Sequence, residues 1–154
     1  MTDASGIAHN IQLAVAPVFL IAGIGALLNV LTNRLARVVD RGRALEKEIA
    51  AEDEGELRQK HLTELSALDM RMIRINRAVT LATLAALLIC LVVVLLFTGE
   101  LLTLDLSRVI AGLFICSMGA LTFGLISFLS EISIAARTLR VGVEFRLREP
   151  RSRP

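Results

Sequence analysis

The sequence predicts an all-α membrane protein: three transmembrane helices, with a cytoplasmic antiparallel, coiled-coil-like helical hairpin between helices 1 and 2. Three observations carry this prediction. Mean hydropathy is +0.66 with 55% hydrophobic residues, too apolar for a soluble chain of 154 residues. Three apolar runs, at 11–33, 78–98 and 109–130, are each long enough to cross about 30 Å of hydrocarbon at about 1.5 Å per helical residue. Between the first two, the polar stretch 34–77 keeps a helical period instead of dissolving into loop composition.

Residues 1–10 contain no Lys or Arg, so they lack the basic region of a cleavable signal peptide, and the first run is read as a retained transmembrane helix. Asp3 or Ser5 can cap its first turn. Pro17 removes one backbone hydrogen bond, which predicts a bend in the outer third. The run closes in "GIGALLNVLTNRLARVVDR", where Asn29, Asn33 and Arg37 recur every four residues and continue a small-residue stripe begun by Ala22 and Ala26. Amides at this depth usually bond to another helix, and less often line a watery path.

Through the stretch 34–77 and into the runs that flank it, Leu31, Leu35, Val38, Gly42, Leu45 and Ile49 alternate spacings of four and three, and so do His61, Leu65, Leu68, Met72, Ile75 and Val79. These are heptad seams. Between them "AAEDEGELR" is acidic and contains Gly55, suited to ending one helix and turning back. The hairpin then projects roughly 27 Å from the membrane. So short a pair is marginal alone, which makes pairing with other copies of the chain an expectation. Gly42 marks either a joint or a close crossing. Glu52, Asp53, Glu54 and Glu56 lack the alternating ligands and central glycine of a calcium loop, and read as a solvated turn.

After the second run, 78–98, comes a short extracytoplasmic link, 99–108, then the third run and a basic tail, 131–154. Cys90 and Cys116 have no close-spaced partner and read as buried structural thiols. Gly112, Cys116, Ala120, Gly124 and Ser127 form a stripe of small residues on helix 3 that predicts a helix-packing face, ending at Glu131. Orientation follows from the basic residues, since cytoplasmic flanks carry excess Lys and Arg. Ten of the 17 fall in 34–77, six in the tail, one in the link and none before the first run. That bias places the N-terminus outside and the hairpin and tail in the cytoplasm of a bacterial inner membrane. Six arginines in the tail suit anionic lipid headgroups, whereas a net charge of +2 offers no case for nucleic acid. The last residues, rich in Arg, Ser and Pro, are expected to be poorly ordered.

All three helices bring polar groups to the cytoplasmic membrane edge: Asn29, Asn33, Arg34 and Arg37 from helix 1, Arg74, Asn76 and Arg77 from helix 2, and Glu131 from helix 3. Two readings stand. The cluster is a gate or ion-conducting constriction, with Glu131 and the arginines setting selectivity, or it is an interhelical clamp in which Glu131 pairs with Arg34, Arg37, Arg74 or Arg77. No HExxH, GxSxG, Walker loop or intramembrane aspartate pair occurs. His9 and His61 fall on opposite sides of the membrane. No enzyme, metal or cofactor is expected.

The runs "IQLAVAPVFLIAGIGALLNVLTNRLARVVDR", "MRMIRINRAV" and "SFLSEISIAARTLR" resemble a family of small bacterial inner-membrane proteins known as domain of unknown function 2721. The likeness spans nearly the whole chain. It implies a bacterial inner-membrane protein of this arrangement and supplies no activity, ligand or catalytic residue. The expected function is that of an oligomeric scaffold or regulator binding itself or cytoplasmic proteins through the hairpin. The alternative is a homo-oligomeric ion channel or small-solute pore.

Overall fold

The computed structural model describes the chain at residues 4–51, 55–102 and 104–148, and side-chain surroundings at 11–51, 55–99, 101–102 and 104–132. It consists of three long helices: α1 Ala4–Ala51, α2 Glu56–Leu101 and α3 Ser107–Arg148. Each is long and apolar enough over part of its length to cross a membrane, so the chain is an all-helical, multi-pass membrane protein. In the most apolar stretches of α1, α2 and α3 only 17%, 22% and 11% of the residues are fully buried within the chain, which leaves apolar side chains facing outward, as lipid requires. Threonine hydroxyls on these surfaces are satisfied locally. Those of Thr32, Thr80, Thr83, Thr98 and Thr122 each donate to the carbonyl four residues back, at 2.8–2.9 Å.

α2 is the central helix and packs against both α1 and α3. The buried residues of all three repeat every seven positions, the period of left-handed coiled-helix packing. On α1 they are Pro17, Ile24, Leu31, Val38 and Leu45, preceded by Ala14; on α2, Leu68, Ile75, Ala82 and Ile89, with a second rank at Ala78, Ala85, Val92 and Gly99; on α3, Ser117, Gly124 and Glu131. Two clusters share this seam. Ile24 and Leu31 meet the α2 alanines in the apolar halves, and Val38 and Leu45 meet Leu68 and Ile75 in the polar halves. The polar ends of α1 and α2 therefore run antiparallel, fastened outside the seam by Arg41 bonding to Glu64 at 3.0 Å. At the reversal the Gly55 carbonyl accepts the Gln59 N–H at 3.3 Å. The acidic tip residues Glu52, Asp53 and Glu54 lie outside the described residues.

Small residues let α2 and α3 approach closely. A Cβ on Gly124 would stand 3.3 Å from Leu81 Cβ and 3.4 Å from the Ala78 carbonyl, and the buried Ser117 hydroxyl donates to the Ala85 carbonyl at 3.0 Å. The α2–α3 turn is tight, with the Leu104 N–H bonding to the Gly99 carbonyl at 3.0 Å. Asp105 caps α3, its carboxylate accepting from the Ser107 hydroxyl at 2.7 Å and the Ser107 N–H at 3.2 Å. Those two bonds, the hydroxyl's first, hold the Asp105 carboxyl below its ordinary pKa.

The structure places the remaining expected features within the chain. Of the predicted packing face, Gly124 is buried and Ala120 and Ser127 are half-buried, but Gly112 and Cys116 are exposed. A strict four-residue step precesses around a helix of 3.6 residues per turn, so Gly112 and Gly124 point about 120° apart. The true line continues outward through Ser117. Cys90 and Cys116 are exposed, not buried thiols, because each sits one residue to the side of a buried seam position, Ile89 and Ser117. Pro17 lies inside α1, buried in the seam. Gly42 has no atom within 4 Å of where its Cβ would stand, so no helix crosses closely there. α3 continues as one helix from the third apolar run into the basic tail, to Arg148. The initial residues 1–3 and the terminal residues 149–154, including the stretch expected to be poorly ordered, lie outside the described residues.

Candidate functional site

Seven residues after Gly124, the seam of α3 reaches Glu131, which is 1% exposed and the one acidic side chain in the described core. A carboxylate withdrawn from water costs several kcal/mol unless its charge and lone pairs are met. Here both oxygens are met. Arg34 of α1 donates from Nη1 to Oε2 at 2.9 Å, and Arg71 of α2 donates from Nε and Nη2 to Oε1 at 3.1 and 2.9 Å. The Arg34 guanidinium also lies 5.4 Å from the centre of the Phe128 ring. Both arginine side chains keep about a third of their surface exposed, 29% and 33%, extending apolar stems along the bundle while their heads meet at its polar edge. The three helices are thus joined at one carboxylate. α1 and α3, which flank α2, reach each other through these side chains.

The arrangement draws together only part of the polar cluster read from the sequence. Arg34 and Glu131 meet. Arg74 is half-buried, and Asn76 and Arg77 are exposed; among the described residues none of these three side chains bonds to another helix. Asn29 and Asn33 are exposed and bond along their own helix, Asn33 Nδ2 donating to Asn29 Oδ1 at 3.0 Å. Arg37 is exposed and forms no ion pair among the described residues. Arg71 is the member that sequence reasoning missed. It lies three residues beyond Leu68 and four before Ile75, the inward slot of that heptad, and this spacing was the available signal. Choosing partners by depth alone favoured Arg74 and Arg77, whose directions on α2 lie about 60° and 120° from that of Arg71.

Below the clamp is an open cavity of about 410 Å³, lined by Arg34, Arg37, Arg41, Arg71 and Glu131 and by the seam residues Val38, Leu68 and Ile75. Among the described residues no three His, Cys, Asp or Glu side chains converge as metal ligands.

Comparison with curated proteins and with solved structures returned no match. A family model does match, that of Protein of unknown function (DUF2721), over residues 14–141. This stretch takes in the whole seam, from Ala14 on α1 to the clamp at Glu131, and the chain belongs to the DUF2721 family.

Proposed function

We propose that the protein is a non-enzymatic, multi-pass protein of the bacterial inner membrane, N-terminus outside and C-terminus cytoplasmic, that acts as a homo-oligomeric scaffold or regulator through the hairpin 34–77. The observation that carries this reading is the continuity of the seam. Ile24, Leu31, Val38 and Leu45 form one buried rank that passes from the apolar to the polar half of α1 without a break. A hairpin built this way is a stiff extension of the membrane bundle, able to hold a surface at a fixed distance from the bilayer. That surface includes Leu62, Met70 and Ile73, exposed on the polar half of α2 and confined to an arc of about 80°. An apolar stripe on a charged arm suits a second helix, from another copy or from a cytoplasmic protein. The test is the mass of purified protein in mild detergent, by light scattering, against the 16.7 kDa chain. Wild type is expected above the monomer, and Leu62→Glu with Ile73→Glu to lower it. A monomeric wild type, with partner recovery unaltered by the double substitution, ends the reading.

One observation favours a second reading, a homo-oligomeric channel or small-solute pore. Asn29 and Asn33 are exposed within the last turns of the first apolar run, where lipid is a poor neighbour for amides and a shared water-filled axis a good one. Planar-bilayer conductance that Asn29→Leu abolishes would support it, and a silent bilayer would remove it. The pairing of Glu131 with two arginines supports the clamp over the gate at that residue.

A further inference from the structure

We infer that the cavity below the clamp binds a phosphate group, that of an anionic phospholipid headgroup. Four guanidinium groups, of Arg34, Arg37, Arg41 and Arg71, line one open space of about 410 Å³. The carboxylates around it are unevenly placed. Arg41, at the far end from the apolar spans, is met by Glu64 at 3.0 Å and Glu48 at 3.7 Å. At the near end Arg34, Arg37 and Arg71 face Glu131 alone. Arg34 uses only Nη1 on that carboxylate, which leaves its Nε and Nη2 available, and Arg37 has no ion-pair partner among the described residues. A fixed excess of positive charge, partly withdrawn from water, is a standing anion site. The planar guanidinium fork matches phosphate oxygens two at a time.

The position selects a lipid as the source of that phosphate. Arg34 and Arg37 stand within about one helical turn of Asn33, where the first apolar run ends. Val30, one turn before Arg34 and on the same face of α1 as Arg34 and Arg37, is 51% exposed, and the Phe128 ring of α3 lies against the Arg34 guanidinium. An acyl chain would lie along this apolar wall while its headgroup enters the charged cavity, the geometry of basic pockets between membrane helices. The inference holds or fails independently of the hairpin's partners.

The experiment is thermal unfolding of the full chain in neutral detergent, titrated separately with phosphatidylglycerol, phosphatidylcholine and inorganic phosphate. Phosphatidylglycerol is expected to raise the melting temperature saturably, and phosphatidylcholine not to. Arg37→Gln, which leaves the clamp intact, is expected to weaken half-saturation about fivefold, the order of one basic residue's attraction to an anionic surface. Arg58→Gln, on the distal part of α2, should leave it unchanged. Should Arg37→Gln be too unstable to titrate, Arg37→Lys keeps the charge without the fork and is expected to fall between. Equal shifts from both lipids, or equal losses from Arg37→Gln and Arg58→Gln, overturn the site. A full shift from inorganic phosphate alone, with none added by lipid, overturns the lipid source.

Discussion

The cost of disturbing Glu131 is set less by what it gains than by what it would leave behind. Changing it to Gln keeps the shape but turns an amide N–H₂ toward guanidinium groups that receive its two oxygens in the native protein. Breaking a fully buried pair costs about 3–5 kcal/mol, but water still reaches a third of each arginine, so roughly 2 kcal/mol is expected for Glu131→Gln. Arg71 donates two of the three bonds and Arg34 one, so Arg71→Gln should destabilise more than Arg34→Gln. Thermal unfolding in one detergent measures all three, and the reverse order of the arginine variants would show that the contact with Phe128 outweighs a second hydrogen bond. Gly124 offers a steric counterpart. Val there must push apart Leu81 and the Ala78 backbone, an overpacking that costs typically 1–3 kcal/mol. Ala at Gly112, where nothing lies within 4 Å, should be neutral or mildly stabilising in the same assay.

Among the elements, α3 owes its start to Asp105. Its carboxyl pKa is lowered from the ordinary 3.8 by the Ser107 hydroxyl and then by the Ser107 N–H, so the ionised form favours the folded state. That contribution is full above the unfolded value of 3.8, fades below it, and is lost as pH falls through the lower folded value. Hydrogen exchange at the Ile110 N–H, which bonds to the Leu106 carbonyl at 3.0 Å, checks this. Protection should be weaker in Asp105→Ala than in wild type at neutral pH, and the two should converge in acid. How far each element was legible in the sequence also depends on contrast. In the polar halves, Val38, Leu45, Leu68 and Ile75 stand out against charged neighbours, and the heptad is visible. In the apolar halves every direction around the helix is hydrophobic, so Ile24 and Leu31 look no different from Leu27 or Val30, and the alanine positions of α2 carry no hydropathy signal at all. Packing there is chosen by size, which is why Gly124 could be read and Ser117, flanked by Cys116, could not. Glu131 was conspicuous as an acid beside an apolar run, whereas its partner Arg71 required the angle as well as the depth.

For the whole molecule, α1 at 48 residues and α2 at 46 are each roughly 70 Å long, against about 30 Å of hydrocarbon. More than half of each must stand outside the bilayer, and the clamp marks where it does so, because Glu131, Arg34 and Arg71 gather at the end of the apolar stretches. An odd number of spans then dictates sides. The reversal at Gly55 and the far end of α3 must share one face of the membrane, while the link holding Asp105 must occupy the other. Sixteen of the 17 Lys and Arg lie in the hairpin and the tail and one in the link, so the shared face should be the cytoplasmic one. Single cysteines test this in a background with Cys90 and Cys116 replaced by Ala. In intact cells a membrane-impermeant maleimide should modify Asp105→Cys and leave Gly55→Cys and Arg148→Cys untouched, and opening the inner membrane should expose both. Native Cys90 and Cys116, exposed on apolar helix surfaces, should resist the same reagent even then, because lipid rather than water covers them. Modification of Gly55→Cys and Asp105→Cys from one side would mean that α2 does not cross, and would withdraw both the hairpin's cytoplasmic placement and the membrane edge on which the lipid site depends.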